Sequence, residues 1–408
     1  MKIIVIGGGA AGMMAAYSSA LHGNETVLLE RNEKLGKKIY ITGKGRCNLS
    51  NYCSGEDFLK NVVSNPKFLY SSVNRLDPFE TVGLFNQLGL KTKVERGNRV
   101  FPESDIASDV TKTLERALKK LKVTILLGTR VTDIRIKDGV FSSVMTDTKG
   151  EITADACIIA TGGLSYPSTG STGDGYEFAK KLGHKVVDTL PSLVGLKTEE
   201  DFVKEMEGLS LKNIVLKVTV NGKQKYKEMG EMLFTHNGVS GPLILTASSD
   251  FARDIAAGKK TELVIDMKPA LSAEELDARI LKDFGKMTNK SVKNVLGALL
   301  PSSMVPVFLK VCGIDEDKKV NSITAAERRK MVETVKGFKL TVKKSGDFSE
   351  AVITKGGIKV SEIDPKTMES KLVKKLYFAG EVIDVDAYTG GYNLQIAWTT
   401  GYTAGLVM

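Results

Sequence analysis

The sequence predicts an α/β fold in which a largely parallel sheet is interrupted by an insert with a β-barrel-like part and a helical part. Three observations carry that expectation. The first thirty residues read as strand, glycine turn, helix and strand, and strands and helices go on alternating to about residue 190. From there the pattern changes to period-two strands followed by apolar residues at helical spacing. Near residue 338 strand-like and loop-like segments return. The expected divisions are therefore 1–190 and 338–408 for two parts of one domain, with 191–337 as the insert.

The opening stretch, MKIIVIGGGAAGMMAAYSSALHGNETVLLE, has no charge from Ile3 to Leu21. A spanning helix needs roughly 20 mostly apolar residues, but the consecutive glycines Gly7 to Gly9 oppose a helix there. A single Lys2 before a β-branched run is not the basic leader of a secretion signal. The better parse is a buried strand over 2–6, a helix from about Ala10 to His22 and a second strand over 26–30. Gly7, Gly9 and Gly12 then fall at G-x-G-x-x-G spacing. Gly7 permits the sharp exit from the strand, Gly9 lets a pyrophosphate approach the backbone, and Gly12 lets helix and strand pack without a Cβ between them. The helix N-terminus offers free N–H groups to the diphosphate. Glu30 ends the second strand, where this arrangement keeps an acid for ribose hydroxyls. An acid there disfavours a 2′-phosphate, so the expected ligand is FAD or NAD rather than NADP.

Composition narrows the class further. A chain of 408 residues can bury a large core in two or three domains. Its four cysteines, Cys47, Cys53, Cys157 and Cys312, form no C-x-x-C pair, and it has only three histidines. Neither a redox disulfide nor a metal site is expected. No other stretch reads as membrane-spanning, so the expected location is the cytoplasm, with no membrane partner. The formal charge of +10 fits an anionic partner. The lysines are dispersed, however, with short clusters such as RALKKLK that read as solvated faces. No aromatic-plus-basic module for single strands is visible, and no nucleic-acid partner is expected.

Further along, VTILLGTRVTDIRIKDGVFSSVMTD (123–147) reads as a strand, a turn and a β-meander. ADACIIATGG (154–163) is another buried strand ending in paired glycines. In the insert, Asn221-Gly222 marks a hairpin. A helical stretch spans 272 to 336, with Ser272 as N-cap of SAEELDARILKDFG.

The chain resembles two-domain FAD oxidoreductases with the glutathione-reductase-like fold. Within them it is similar to the bacterial NAD(P)/FAD-dependent oxidoreductase family of BaiN-like flavoproteins. The resemblance rests on GGGAAG (7–12), GKGRCN (43–48), ATGGLSYPSTGSTGDGY (160–176), FTHNGVSGP (234–242), MESK (368–371) and AGEVIDVDAYTGGYNLQIA (379–397). These motifs span nearly the whole length. A weaker similarity reaches the fumarate reductase and succinate dehydrogenase flavoproteins.

What the resemblance implies can be written residue by residue. Glu30, with Arg31 beside it, would bind the adenosine ribose, and Gly7, Gly9, Ala10, Ala11 and Gly12 would face the pyrophosphate. Lys37, Lys38, Gly45, Arg46, Cys47 and Asn48 would lie along the diphosphate, ribityl chain and flavin. Val131 would offer backbone groups to adenine, and Thr161, Gly162 and Asp174 would flank the cofactor. Gly380 and Glu381 would serve the ribityl or diphosphate region. Gly391, Asn393 and Leu394 would aim helix N-terminal amides at the flavin N1/O2 edge, where reduced flavin carries negative charge.

Several of these residues have a plainer reading. Cys47 is better read as small packing than as a redox thiol, and Asp174 could be a helix N-cap. His236 could donate a proton or be a satisfied structural histidine. Asp384 and Asp386 could be site acids or turn formers. Tyr166, Tyr388 and Tyr392 could donate a proton or wall the flavin. The catalytic residue stays unassigned, with His236, Arg46 and Tyr392 as candidates.

The resemblance implies flavin redox chemistry, in which the protein sets geometry, electrostatics and access. Only one nucleotide fingerprint is present, so NADH or NADPH would reach the flavin transiently, as electron donor in a ping-pong cycle. The expected reaction is reduction of an activated C=C bond by hydride transfer from flavin N5. One branch of the family reduces Δ4 and Δ6 double bonds of 3-oxo bile acids in gut clostridia. A small, apolar substrate with an anionic group would suit the basic charge. The rivals are a flavin-dependent tRNA-modifying enzyme, an amine or aminoketone oxidase, and a flavin-bound protein without turnover.

Overall fold

The computed structural model describes residues 1–407, which divide into two compact units: 1–192 with 348–407, and 193–347. The first unit is built on a five-stranded parallel sheet. Its central strand β1 (Lys2–Ile6) lies between Ala156–Ile159 and β2 (Glu25–Leu29). Leu376–Phe378 and Thr124–Leu126 form the two edges. Ile3, Ile4 and Val5 are wholly buried, as a strand covered on both faces requires. Strand β2 stops one residue before Glu30, so that acid opens the following loop rather than ending the strand.

Helix α1 (Ala10–Leu21) packs along the C-terminal helix Tyr392–Gly405. Gly401 and Gly405 make that close crossing possible, since a Cβ at Gly401 would strike the Ala11 carbonyl oxygen. The two ends of the chain are thus held together by backbone-to-backbone approach. The meander read from 123–147 separates into two parts. Thr124–Leu126 joins the parallel sheet, while Val131–Lys137, Val140–Thr146 and Gly150–Thr153 form their own antiparallel sheet.

The second unit holds a closed six-stranded barrel in the order Leu196–Thr198, Gly238–Ser240, Lys223–Thr235, Ser210–Val220, Thr261–Asp266 and Phe338–Ser345. Asn221 and Gly222 both have positive φ, giving the two-residue hairpin that their types favour. The first unit resumes at Phe348 rather than 338, because Phe338–Ser345 pairs with both Thr261–Asp266 and Leu196–Thr198 to close the barrel. The helical stretch is several helices, the main ones being Ala273–Lys286, Val305–Cys312 and Ala325–Lys336. Ser272 caps the first of them in a reciprocal capping box with Glu275, a device worth about 1 kcal/mol. Among the described residues no helix is long and apolar enough to cross a membrane.

Candidate functional site

The residues expected to hold a dinucleotide all lie in the first unit, most of them on loops and helix starts that bond to one another. The first of these loops is the glycine turn. A Cβ at Gly12 would overlap the carbonyl oxygen of Gly7, so the helix can begin there only on glycine. A Cβ at Gly9 would meet nothing within 4 Å. Gly9 is also the N-cap of α1 with no side-chain cap, and no acidic residue stands in the first turn where Ala10 and Ala11 lie. The turn is therefore open on the side where the helix presents its first N–H groups, as an incoming anion needs.

Glu30 is buried, and both carboxylate oxygens are engaged. Oε2 accepts from the Gly8 N–H at 2.7 Å, and Oε1 accepts from the Asn32 N–H and side-chain amide, both at 2.7 Å. The acid therefore fixes the glycine turn. Beyond it, Asp174 receives Arg130 through two bonds of 3.0 and 3.1 Å and Arg31 at 3.3 Å. Burial would raise the Asp174 carboxyl, but the Arg130 and Thr172 hydrogen bonds with the nearby Arg31 charge outweigh it and hold it below the usual range. Asp174 is the first residue of helix Asp174–Lys181; the N-cap is Gly173, so the N-cap reading of Asp174 is corrected. Lys37 faces Asn32 and Glu33 on the surface. Val131 begins its strand with a buried side chain.

A second cluster joins three distant segments. Lys38 Nζ donates to Glu381 Oε2 at 2.8 Å and to the Ser165 hydroxyl. Glu381 Oε1 accepts from Ser165 Oγ at 2.9 Å and from the Thr354 N–H at 2.7 Å. Gly380 bonds Thr400 of the last helix, and a Cβ on it would lie 2.6 Å from that of Ala11. This contact links the glycine turn to the tail. The family resemblance singled out Lys38 and Glu381; Ser165 and Thr354 were missed, because each is defined only by what the fold lays against Glu381.

At the far end lie GKGRCN and the tail loop. Gly45 accepts from the Ala107 N–H, and Arg46 is clamped between Glu95 and Asp105 with its guanidinium 4.2 Å from the Phe101 ring. Both acids hold the Arg46 proton more firmly than usual, which makes it a poor proton donor. The Cys47 thiol is fully buried and pushed up to about 12 by that burial, so it is packing and not a reactive thiolate. Gly391 has φ +97°, and a Cβ there would strike the Ser50 carbonyl. It caps the final helix without a side-chain cap. Asn393 spends its carboxamide on Ala387 and Tyr388, bracing this loop. Leu394 is half-buried behind it in the first turn. Asp386 forms a buried ion pair with Lys355 at 3.1 Å, and Asn65 donates to the Asp384 carbonyl at 2.7 Å. Both acids thus take part in holding the loop. The phenol of Tyr392 is raised above its usual value, chiefly by burial. His236 belongs to the second unit, where its exposed ring pairs with Glu207 at 2.9 Å.

These residues fit FAD. The side-chain oxygens Asn48 Oδ1 and Thr161 Oγ1 are buried without a hydrogen-bond partner, a costly state that a polar ligand relieves. Both stand among the residues expected to hold the cofactor, and Thr161 adjoins Gly162 with its positive φ. Two helix N-termini, after Gly9 and Gly391, also lack side-chain caps.

Comparison with known proteins points to the same cofactor class. The family described as HI0933-like protein Rossmann domain matches residues 1–407. The 3-dehydro-bile acid delta(4,6)-reductase of Clostridium scindens is 32% identical over 99% of this chain and 98% of its own. The ribosomal RNA dihydrouridine synthase of Haemophilus influenzae is 31% identical over 99% of this chain and 97% of its own. Among solved structures, 3-ketosteroid delta1-dehydrogenase from Sterolibacterium denitrificans superposes with a TM-score of 0.53 at 13% identity. It covers 99% of this chain and 98% of that one, a likeness of fold.

Proposed function

Since the chain belongs to the HI0933-like Rossmann-domain family and is an FAD-dependent oxidoreductase, we propose that it reduces a carbon–carbon double bond conjugated to a carbonyl. One observation carries this reading. Relatives matched along their full length, at nearly equal identity, are named for substrates as different as a bile acid and ribosomal RNA. A 3-oxo-4-ene and the C5=C6 bond of uracil are both polarised by an adjacent carbonyl, so the two names share one chemistry.

Bound FAD, reduced by NADH or NADPH, would supply the hydride to the β carbon while a proton joins the α carbon. The chain's own part is to bind, to orient and to hold that proton. The N-termini after Gly9 and Gly391, which lack side-chain caps, would offer N–H groups and partial positive charge to the cofactor's anionic atoms. Lys38 and Glu381 lock the loop that carries Gly380. Of the three proton-donor candidates, Arg46 is committed to two acids and His236 to Glu207. Tyr392 opens the final helix with its ring against the Gly390–Gly391 turn and has a phenol O–H to give, so it is the donor we favour.

Two substrate classes follow from the relatives. A steroid acid matches the apolar, anionic substrate expected from the sequence. A uridine in RNA is the second reading, favoured by the dihydrouridine synthase name and by the +10 charge. Reduced holoenzyme mixed anaerobically with a 3-oxo-4,6-diene steroid acid or with uridine-containing RNA is expected to recover its oxidised flavin absorbance with one of them. Failure of both, with a simple quinone still reoxidising the flavin, overturns the proposal.

A further inference from the structure

Beside the Gly390–Gly391 turn the first unit exposes a surface that no step above uses. Ser50–Asn51, Arg99–Pro102 and Thr92–Glu95 form a small antiparallel sheet, and residues 96–98 are the loop of its hairpin. The Asn51 side-chain amide donates to the Gly97 carbonyl at 3.0 Å and to the Gly390 carbonyl at 3.1 Å. The hairpin loop is therefore tied directly to the tail turn that precedes the final helix.

Two kinds of side chain crowd this rim. Tyr52 and Phe79 are 46% and 42% exposed, with ring centroids 4.7 Å apart in an edge-to-face pair. Two large aromatics packed on each other yet left in solvent form a ready-made stacking surface. Arg96, which opens the loop, and Arg99, which follows it, are both exposed. Glu95 stands directly across from Arg99, but its carboxylate is bound to Arg46. Arg99 is left with the Arg96 carbonyl and the Phe101 ring, 5.7 Å away. Neither arginine has an acid within ion-pair distance among the described residues.

We propose that Tyr52 and Phe79, with Arg96 and Arg99, form a docking rim for single-stranded RNA, the aromatic pair stacking a base and the arginines taking its flanking phosphates. Aromatic platforms beside unpaired cations are how proteins hold unstacked bases without reading sequence. The Asn51 bridge puts this rim next to the turn proposed to face the flavin, where a base selected for reduction must arrive. The inference rests on the RNA reading of the substrate, and it places partner contacts where composition alone predicted no nucleic acid.

The test uses FAD-loaded protein and a fluorescently labelled oligouridylate, followed by anisotropy across a salt series, with the flavin absorbance reporting an intact fold. Tyr52→Ala with Phe79→Ala is expected to weaken binding about tenfold or more. Arg96→Gln with Arg99→Gln is expected to flatten the slope of log affinity against log salt by about 1.4. Lys212→Gln with Lys217→Gln, an equal charge change on the barrel unit, is expected to leave both within about twofold of the parent. No binding at low salt, or equal losses in all three doubles, overturns the rim. Reoxidation assays with free uridine and with the steroid acid are run beside it. A rim that fails while uridine still reoxidises the flavin leaves the reductase reading standing. RNA binding lost as predicted with no reoxidation by either compound sinks the reductase reading instead.

Discussion

The glycine turn at 7–12 and the cluster of Lys38, Ser165 and Glu381 serve the same unit, but they are made in opposite ways. In the turn the fit is steric first: Gly12 allows an overlap-free approach to Gly7, the space above Gly9 stays open, and Glu30 is the one side chain that braces it, through the Gly8 N–H. In the cluster everything depends on side chains, three of them polar and drawn from segments more than a hundred residues apart. A steric requirement can be stated in one short stretch of sequence, because the clashing atoms are neighbours in the chain. A charge-pairing requirement cannot, because either partner can be met from anywhere. The same contrast predicts that substitutions in the turn fail abruptly and those in the cluster by degrees.

Gly12→Val is the harshest break. Its Cβ has no room against the Gly7 carbonyl, and the helix start must move away from β1. The expected outcome is colourless protein that unfolds at least about 4 kcal/mol more easily. Denaturant unfolding and flavin content after reconstitution check it. A yellow Gly12→Val protein of parental stability would mean that the turn is less tightly fitted than described.

Glu381→Ala comes next. It leaves Lys38 without its carboxylate and removes the acceptor of the Thr354 N–H and the Ser165 hydroxyl. Both charged side chains are about a quarter exposed, so solvent recovers part of the loss. A cost of about 1–3 kcal/mol is expected, with weakened FAD retention measured by equilibrium dialysis. Glu381→Gln keeps an acceptor for Ser165 and Thr354 and is expected to fall between the two. Equal losses for Ala and Gln would assign the whole effect to the Lys38 charge.

The same distinction explains how much could be read in advance. The strand–turn–helix–strand opening, the barrel hairpin at Asn221-Gly222 and the Ser272 cap were all legible, since each is a local rule applied over a few residues. So were Lys38 and Glu381 as residues of interest, through the motifs that carry them. Their mutual ion pair was not, nor was the clamp of Glu95 and Asp105 on Arg46, because both depend on which loops the fold lays together. The exposed Tyr52–Phe79 pair was invisible for the same reason: 27 positions separate two rings whose only relation is tertiary. The barrel boundary slipped past 338 because strand pairing, not local pattern, decides which unit Phe338–Ser345 joins.

The mildest expected effect sits at Asp174, where charge pairing with Arg130 and Arg31 is open to water. Asp174 holds its proton less tightly than an ordinary aspartate despite partial burial, owing mainly to Arg130 and Thr172. A carboxyl with a lowered folded-state pKa contributes stability that is complete above the unfolded value, near 3.9, and is lost as pH falls through the folded value. The parent protein should therefore lose an increment of stability below about pH 4 that Asp174→Asn lacks, while the variant is weaker at neutral pH by a fixed amount. Arg130 is half exposed, so added salt should shrink that neutral-pH difference. Urea unfolding of both proteins at pH 3 to 7, each at low and high salt, measures it. A stability gap that survives high salt unchanged would show that Asp174 acts through its hydrogen bonds to Arg130 and Thr172 rather than through its charge, which would bring this site closer in kind to the glycine turn.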